Sequence, residues 1–112
     1  MRVIRQDELP FSNIAHELVG ADHGIDGISV ILVEAPPGSS VRLHRHDYDE
    51  VIIVQGGTGR FTVGDEEVEL GAGELLVVPR GTPHGFRNDG LEPLLQVDIH
   101  ASSSFATEWL EP

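Results

Sequence analysis

The chain has 112 residues, with seven Lys and Arg against 19 Asp and Glu for a formal charge of −12, and it contains no Cys. This length supports one domain, residues 1–112, with a core of its own and no room for a second. The lack of Cys excludes a disulfide framework, a thiolate metal site and cysteine catalysis, while the acidity argues against nucleic acid or an anionic membrane as partner.

The opening residues, Met1-Arg2-Val3-Ile4-Arg5-Gln6-Asp7-Glu8, lack the apolar core of a signal peptide, and no stretch reaches the ~18 consecutive apolar residues of a membrane helix. A cytoplasmic protein is expected. Residues 1–26 read as a flank: a short strand over 2–5, a loop over 9–13 around Pro10, a strand over 17–21, then a turn over 22–27. His16 and His23 lie in this flank, where a solvated histidine is the default reading. The barrel proper is expected over about residues 27–100.

Residues 28–35 are rich in β-branched side chains and end in Pro36-Pro37-Gly38-Ser39-Ser40, so they predict a strand. Strands over 41–46 and 51–55 follow, then Gly56-Gly57-Thr58-Gly59 supplies a tight connection. Runs 60–63 and 67–70 flank Gly64-Asp65-Glu66 as a hairpin, and further strands are read over 74–78, 84–87 and 93–100. Roughly nine short strands with turn signals every 8–12 residues predict an all-β barrel or sandwich. The tail, residues 101–112, carries the single Trp109 and reads as a turn of helix that packs on the barrel or on a partner subunit.

The polar residues inside this pattern carry the chemistry. Strand alternation puts His44 and His46 on one face and Arg45 on the other. Glu50 opens the next strand, and His84 lies beyond Pro79, Gly81 and Pro83. Three imidazoles and a carboxylate suit a borderline divalent ion, and four such groups converging would be costly to bury without one. Alternation along 95–100 sets Leu95, Val97 and Ile99 on one face and Gln96, Asp98 and His100 on the other; that polar face either lines a cavity near the metal or meets solvent. Phe86 shares the parity of His84 and can form an apolar wall, with Phe61 and Tyr48 as further lining candidates. Arg42, Arg60 and Arg87 are candidates for a substrate carboxylate, with surface pairing as the commoner role.

Two spaced patterns in this chain resemble the cupin family. The first is Gly38, five residues, His44, one residue, His46, three residues, Glu50, six residues, Gly57; the second is Gly73, five residues, Pro79, one residue, Gly81, two residues, His84, three residues, Asn88. The resemblance implies a double-stranded β-helix, or jelly-roll, barrel that binds one divalent transition metal per chain (Mn, Fe, Ni, Co or Zn) through His44, His46, Glu50 and His84. It also implies a homodimer through an outer sheet, in keeping with apolar residues on both parities of 28–33 and 51–54. Asn88 is expected to satisfy backbone groups in its turn. The segment Val97-Asp98-Ile99-His100 is similar to the matching strand of small cupins of pectin breakdown, where an Asp at the position of Asp98 is linked to proton transfer. Those proteins carry Gln in place of Glu50 and an aromatic residue in place of His100.

The expected function is that of a metal-dependent enzyme on a small organic acid, sugar acid or related metabolite, of oxygenase, isomerase or lyase type, with Asp98 or His100 moving a proton. The alternatives are a non-catalytic binding or sensing module and a barrel that keeps its metal for stability.

Overall fold

Aliphatic runs separated by Gly and Pro become the strands of the computed structural model, which describes residues 1–112. In chain order they are β1 (Phe11–Ser12), β2 (Ala15–Leu18), β3 (Ser29–Ala35), β4 (Ser40–Arg45), β5 (Glu50–Gly56), β6 (Thr58–Val63), β7 (Glu66–Gly71), β8 (Leu75–Val78), β9 (His84–Arg87), β10 (Leu94–His100) and β11 (Glu108–Trp109). They form two sheets, of order β1-β2-β3-β10-β5-β8 and β11-β4-β9-β6-β7. Every pairing is antiparallel. From β3 onward the chain crosses repeatedly from one sheet to the other, which is the expected double-stranded β-helix.

Alternation along each strand decides what lies between the sheets. The inward side chains Val33, Ala35, Ile52, Val54, Phe61, Leu70, Val78 and Leu94 form one buried cluster. Along the inner faces of β5 and β10 the residues grade from Val54 and Leu94 to Glu50 and His100. The apolar core therefore fills one end of the barrel and leaves the other end to polar side chains.

The turns follow backbone chemistry. Gly38, Gly57, Gly73 and Gly81 all have φ between 72° and 90°, a region that L side chains enter at a cost. Buried Asn88 donates to the carbonyls of Ala35 (2.9 Å) and Glu92 (2.8 Å) and accepts from the Gly90 amide (3.0 Å), the expected role.

The flanks differ from their sequence reading. Residues 2–5 form no strand; Arg5 caps a 3-10 turn, Gln6–Glu8, and pairs with Asp7 in that turn. Phe11 and Ser12, read as loop, form β1 because Asn13 adopts φ 58° and folds them back onto β2. The strand read over 17–21 lies earlier, at Ala15–Leu18, and Gly20–His23 is a 3-10 turn. The tail is a strand, not a helix. A segment this short gains little as an isolated helix, whereas beside the free edge of β4 the Leu110 amide reaches the Leu43 carbonyl (3.0 Å), the Leu43 amide reaches Glu111 Oε1 (2.7 Å) and Arg45 makes a two-pronged bond to Glu108.

Candidate metal centre

Register brings His44, His84 and Glu50 together from both sheets, and His46 follows just past the end of β4. In one sheet His44 of β4 sits opposite His84 of β9; in the other Glu50 of β5 sits opposite His100 of β10. A bulge in β4 sets Arg42 and Leu43 against the single residue Gly85, and it re-aims His44. Gly85 is required there, since a Cβ would lie 2.7 Å from the Val41 carbonyl oxygen. The Gly81 amide donates to the His46 carbonyl (2.7 Å) and the Arg80 amide to Asp49 Oδ1 (2.9 Å), which ties the segment before His84 to the His46–Glu50 turn.

All four expected ligands are buried: His44 8%, His46 6%, Glu50 3% and His84 4% exposed. Glu50 Oε1 lies 3.1 Å from His84 Nε2 and 3.4 Å from His46 Nε2. The rings of His44 and His84 are 4.2 Å apart, and those of His44 and His46 5.0 Å. One ligand atom from each of His44, His46 and His84 fits within 4.8 Å of the others, and the same holds for His46, Glu50 and His100.

The backbone fixes how the rings point. Nδ1 of His44 donates to the Arg42 carbonyl (2.7 Å), Nδ1 of His84 to the Thr82 carbonyl (2.9 Å) and Nδ1 of His46 to the Ala106 carbonyl (2.8 Å). A carbonyl only accepts, so each ring carries a proton on Nδ1, and in the neutral form its Nε2 lone pair turns inward. Such outer partners are what orient imidazoles around an ion. His46 Nε2 is buried without a hydrogen-bond partner. Buried polar atoms are rarely left so, and a divalent ion would satisfy it; the donor set fits one.

Charge agrees with this reading at His44, His100 and Glu50, while His46 is drawn the other way by Glu50. Burial pushes the imidazoles of His44 and His100 down to about 4, keeping them in the neutral form that binds a cation. Burial alone would raise the Glu50 carboxyl, but His46, His84 and His100 around it hold it below the usual carboxylate range. For His46, burial works downward while Glu50 and the Ala106 carbonyl work upward and prevail. Burial and the charge of Glu50 push the Asp98 carboxyl well above its ordinary value, with the Gln96 hydrogen bond opposing.

A cavity of about 430 Å³ opens beside these groups. Ile31, Val33, Ile52 and Phe86 give it apolar walls, and Asp98 and His100 line it. The polar face of β10 thus meets the cavity, not solvent: Gln96, Asp98 and His100 are all buried, and Gln96 Nε2 donates to Asp98 Oδ1 at 2.8 Å. Phe86 forms the expected wall and leans on Phe61, which belongs to the core. Tyr48 is not part of the cavity wall; its hydroxyl sits 2.8 Å from His100 Nδ1 and 3.2 Å from His46 Nδ1. Arg60 and Arg87 pair on the surface with Glu67 and Asp89. Arg42 makes no ion pair. Its guanidinium lies over Trp109 at 4.9 Å, donates to the Glu111 carbonyl (3.3 Å) and borders the cavity. His16 stays outside the site and packs on Phe11, and His23 closes the second 3-10 turn.

The tail contributes more than its sequence suggested. Phe105, Thr107 and Trp109 close one side of the cavity, Phe105 stands edge-on to His100 at 4.9 Å, and Trp109 lies 5.0 Å from His44. No spacing in the tail signals this, because the contacts depend on the β4–β11 pairing.

The geometry has a known counterpart. Residues 31–100 match the family model for the cupin domain. The chain belongs to the cupin family. The endoribonuclease YbeY of Myxococcus xanthus is 41% identical to this cupin over 75 residues, 66% of this chain and 26% of that protein. Quercetin 2,3-dioxygenase of Bacillus subtilis is 31% identical over 86 residues, 74% of this chain and 25% of the enzyme. The Mn(II)-containing oxalate decarboxylase of Bacillus subtilis superposes with a TM-score of 0.78 at 25% identity, covering 89% of this chain and 29% of the decarboxylase. This cupin therefore spans about a quarter of each of these relatives. No helix of the chain is long and apolar enough to cross a membrane.

Proposed function

We propose that this cupin is a metal-dependent enzyme acting on a small organic acid, sugar acid or related metabolite, with oxygenase, isomerase or lyase chemistry. The observation that carries the reading is the meeting of His44, His46, Glu50 and His84 at the inner end of an open cavity. A divalent transition ion (Mn, Fe, Ni, Co or Zn) held there supplies a Lewis acid for a substrate oxygen. The remaining work falls to the chain. Arg42, unpaired at the rim of a protein of charge −12, suits a carboxylate, and Ile31, Val33, Ile52 and Phe86 suit an apolar body and exclude water.

Asp98 and His100 are the candidate groups for proton movement. Both line the cavity on β10, next to Glu50 and out of solvent. The test is a screen of uronates, diketones and phenolic acids, with and without O₂, on protein of measured metal content. Asp98→Asn is expected to keep its metal and to lose about 10²–10⁴-fold in turnover. Unchanged turnover removes Asp98 from the mechanism, and tight binding with no turnover of any of them favours a binding module.

The same reading includes a homodimer. On the outer face of the larger sheet two cross-strand rows, Leu32–Val97–Ile53–Leu75 and Val30–Ile99–Val51–Val77, carry no charge. Leu75 and Val77 are 59% and 65% exposed. A monomer rarely leaves so continuous an apolar face to water, and two such faces can pack about a two-fold axis. Light scattering is expected to give twice the 12.2 kDa of one chain, and Val77→Glu to return it to a single chain's mass. A monomeric wild type overturns the dimer.

A further inference from the structure

The four-residue ligand set does not account for every imidazole at the centre. His100 is 3% exposed, stands opposite Glu50 in the sheet, and its ring lies 4.9 Å from that of His46. Its Nε2 is 3.4 Å from Glu50 Oε2, yet it makes no hydrogen bond. Two imidazole nitrogens of the protein are buried without a partner, His46 Nε2 and His100 Nε2. The first belongs to the cupin ligand pattern. The second is in the same situation: same depth, same carboxylate, same distance of 3.4 Å to a Glu50 oxygen.

That distance is informative. Two donors held by one ion at ~2.0–2.2 Å stand ~2.8–3.6 Å apart for angles between octahedral and tetrahedral. A hydrogen bond between a ring N–H and a carboxylate would be shorter and aligned. The tether is equivalent as well. Nδ1 of His100 is engaged by the Tyr48 hydroxyl at 2.8 Å, where Nδ1 of His44, His46 and His84 meets a backbone carbonyl; unlike a carbonyl, a hydroxyl can donate as well as accept. With Tyr48 accepting from Nδ1–H, the lone pair on Nε2 would face a bound ion. The grouping of His46, Glu50 and His100 within 4.8 Å shares His46 with the three-histidine group, so one point can serve both.

We infer that His100 is a fifth protein ligand, so that the ion is held by four imidazoles and Glu50. This rests on the metal reading above and narrows it. Five protein donors would leave a six-coordinate ion one exchangeable position in place of two, so that substrate would bind through a single oxygen, not as a chelate, and proton movement would fall to Asp98.

The test counts ligated rings. Wild type, His100→Phe and His100→Gln are reconstituted with Co(II), and hyperfine-shifted exchangeable Nδ1–H resonances are counted by proton NMR, one for each ring bound through Nε2. Four are expected in wild type and three in either variant, with Co(II) affinity, measured against a competing chelator, falling at least about 10-fold. Three resonances in metal-loaded wild type overturn the fifth ligand and leave the cupin set standing, and this count needs no variant to fold. A wild type that takes up no metal removes the metal reading itself and the fifth ligand with it.

Discussion

Replacing His84 by Ala is expected to lower the affinity for a divalent transition ion by more than about 100-fold and to leave the barrel folded. Loss of an outer partner that only orients a ligand costs 10–100-fold, so loss of the ligand itself lies beyond that range. His84 reaches the centre from β9, the sheet opposite to Glu50, and its Nε2 is the nearest of the imidazole nitrogens to Glu50 Oε1 at 3.1 Å. The apolar cluster of Val33, Ile52, Val54, Phe61 and Leu94 does not include His84, so its removal does not breach the core. Two measurements check this. Metal content after dialysis falls from one ion per chain toward none. Thermal unfolding of wild type shifts upward with added ion, by about 4 kcal/mol of stabilisation at a thousand times the dissociation constant, while the variant shows no such shift. A His84→Ala protein with undiminished metal would sink the proposed centre.

The clustering of His44, His46, Glu50 and His84 was readable in the sequence because its parts are local or periodic. The alternation that puts His44 and His46 on one side of a strand is a property of extended backbone, and the two spaced patterns mark the bends that carry Glu50 and His84 inward. The same alternation isolated Gln96, Asp98 and His100 on one face of β10, but whether that face met water depended on where the strand lies in the sheet. Its register settles the matter, because Gln96, Asp98 and His100 stand opposite the inward residues Val54, Ile52 and Glu50. The tail was misread for a related reason. Residues 105–110 have no strong propensity of their own, and their conformation is imposed by the unpaired edge of β4, a partner about sixty residues away in the chain. Likewise Phe11 and Ser12 are a strand only because Asn13 turns them onto β2. Strand edges filled by distant segments are where a linear reading fails, and here one such segment walls the cavity.

The pattern that marks the proposed metal centre also contains residues that never approach it, and Gly57 is the one whose replacement should cost most. It lies just past the end of β5, at the opposite end of that strand from Glu50, where the chain turns into β6 beside the start of β10. Its φ is 72°, and a Cβ there would sit 2.3 Å from the Pro93 carbonyl oxygen and 3.2 Å from the Leu94 Cα. Backbone cannot step aside as a flexible side chain would, so Gly57→Ala combines left-handed strain with forced displacement of β10, together about 2–4 kcal/mol. In a domain of this size that is a fall of roughly 10–20 °C in Tm. Gly64→Ala provides the comparison: its φ is 62°, but a Cβ there meets nothing within 4 Å, so only the strain remains, about 1 kcal/mol. Calorimetry of the two variants separates close approach from backbone conformation. Equal losses would mean that the gap beside Pro93 opens freely and that Gly57 is needed for its φ alone. The folded fraction of Gly57→Ala should still take up metal with wild-type stoichiometry, because the contact it disturbs lies at the core end of β5 and β10, away from Glu50 and His100.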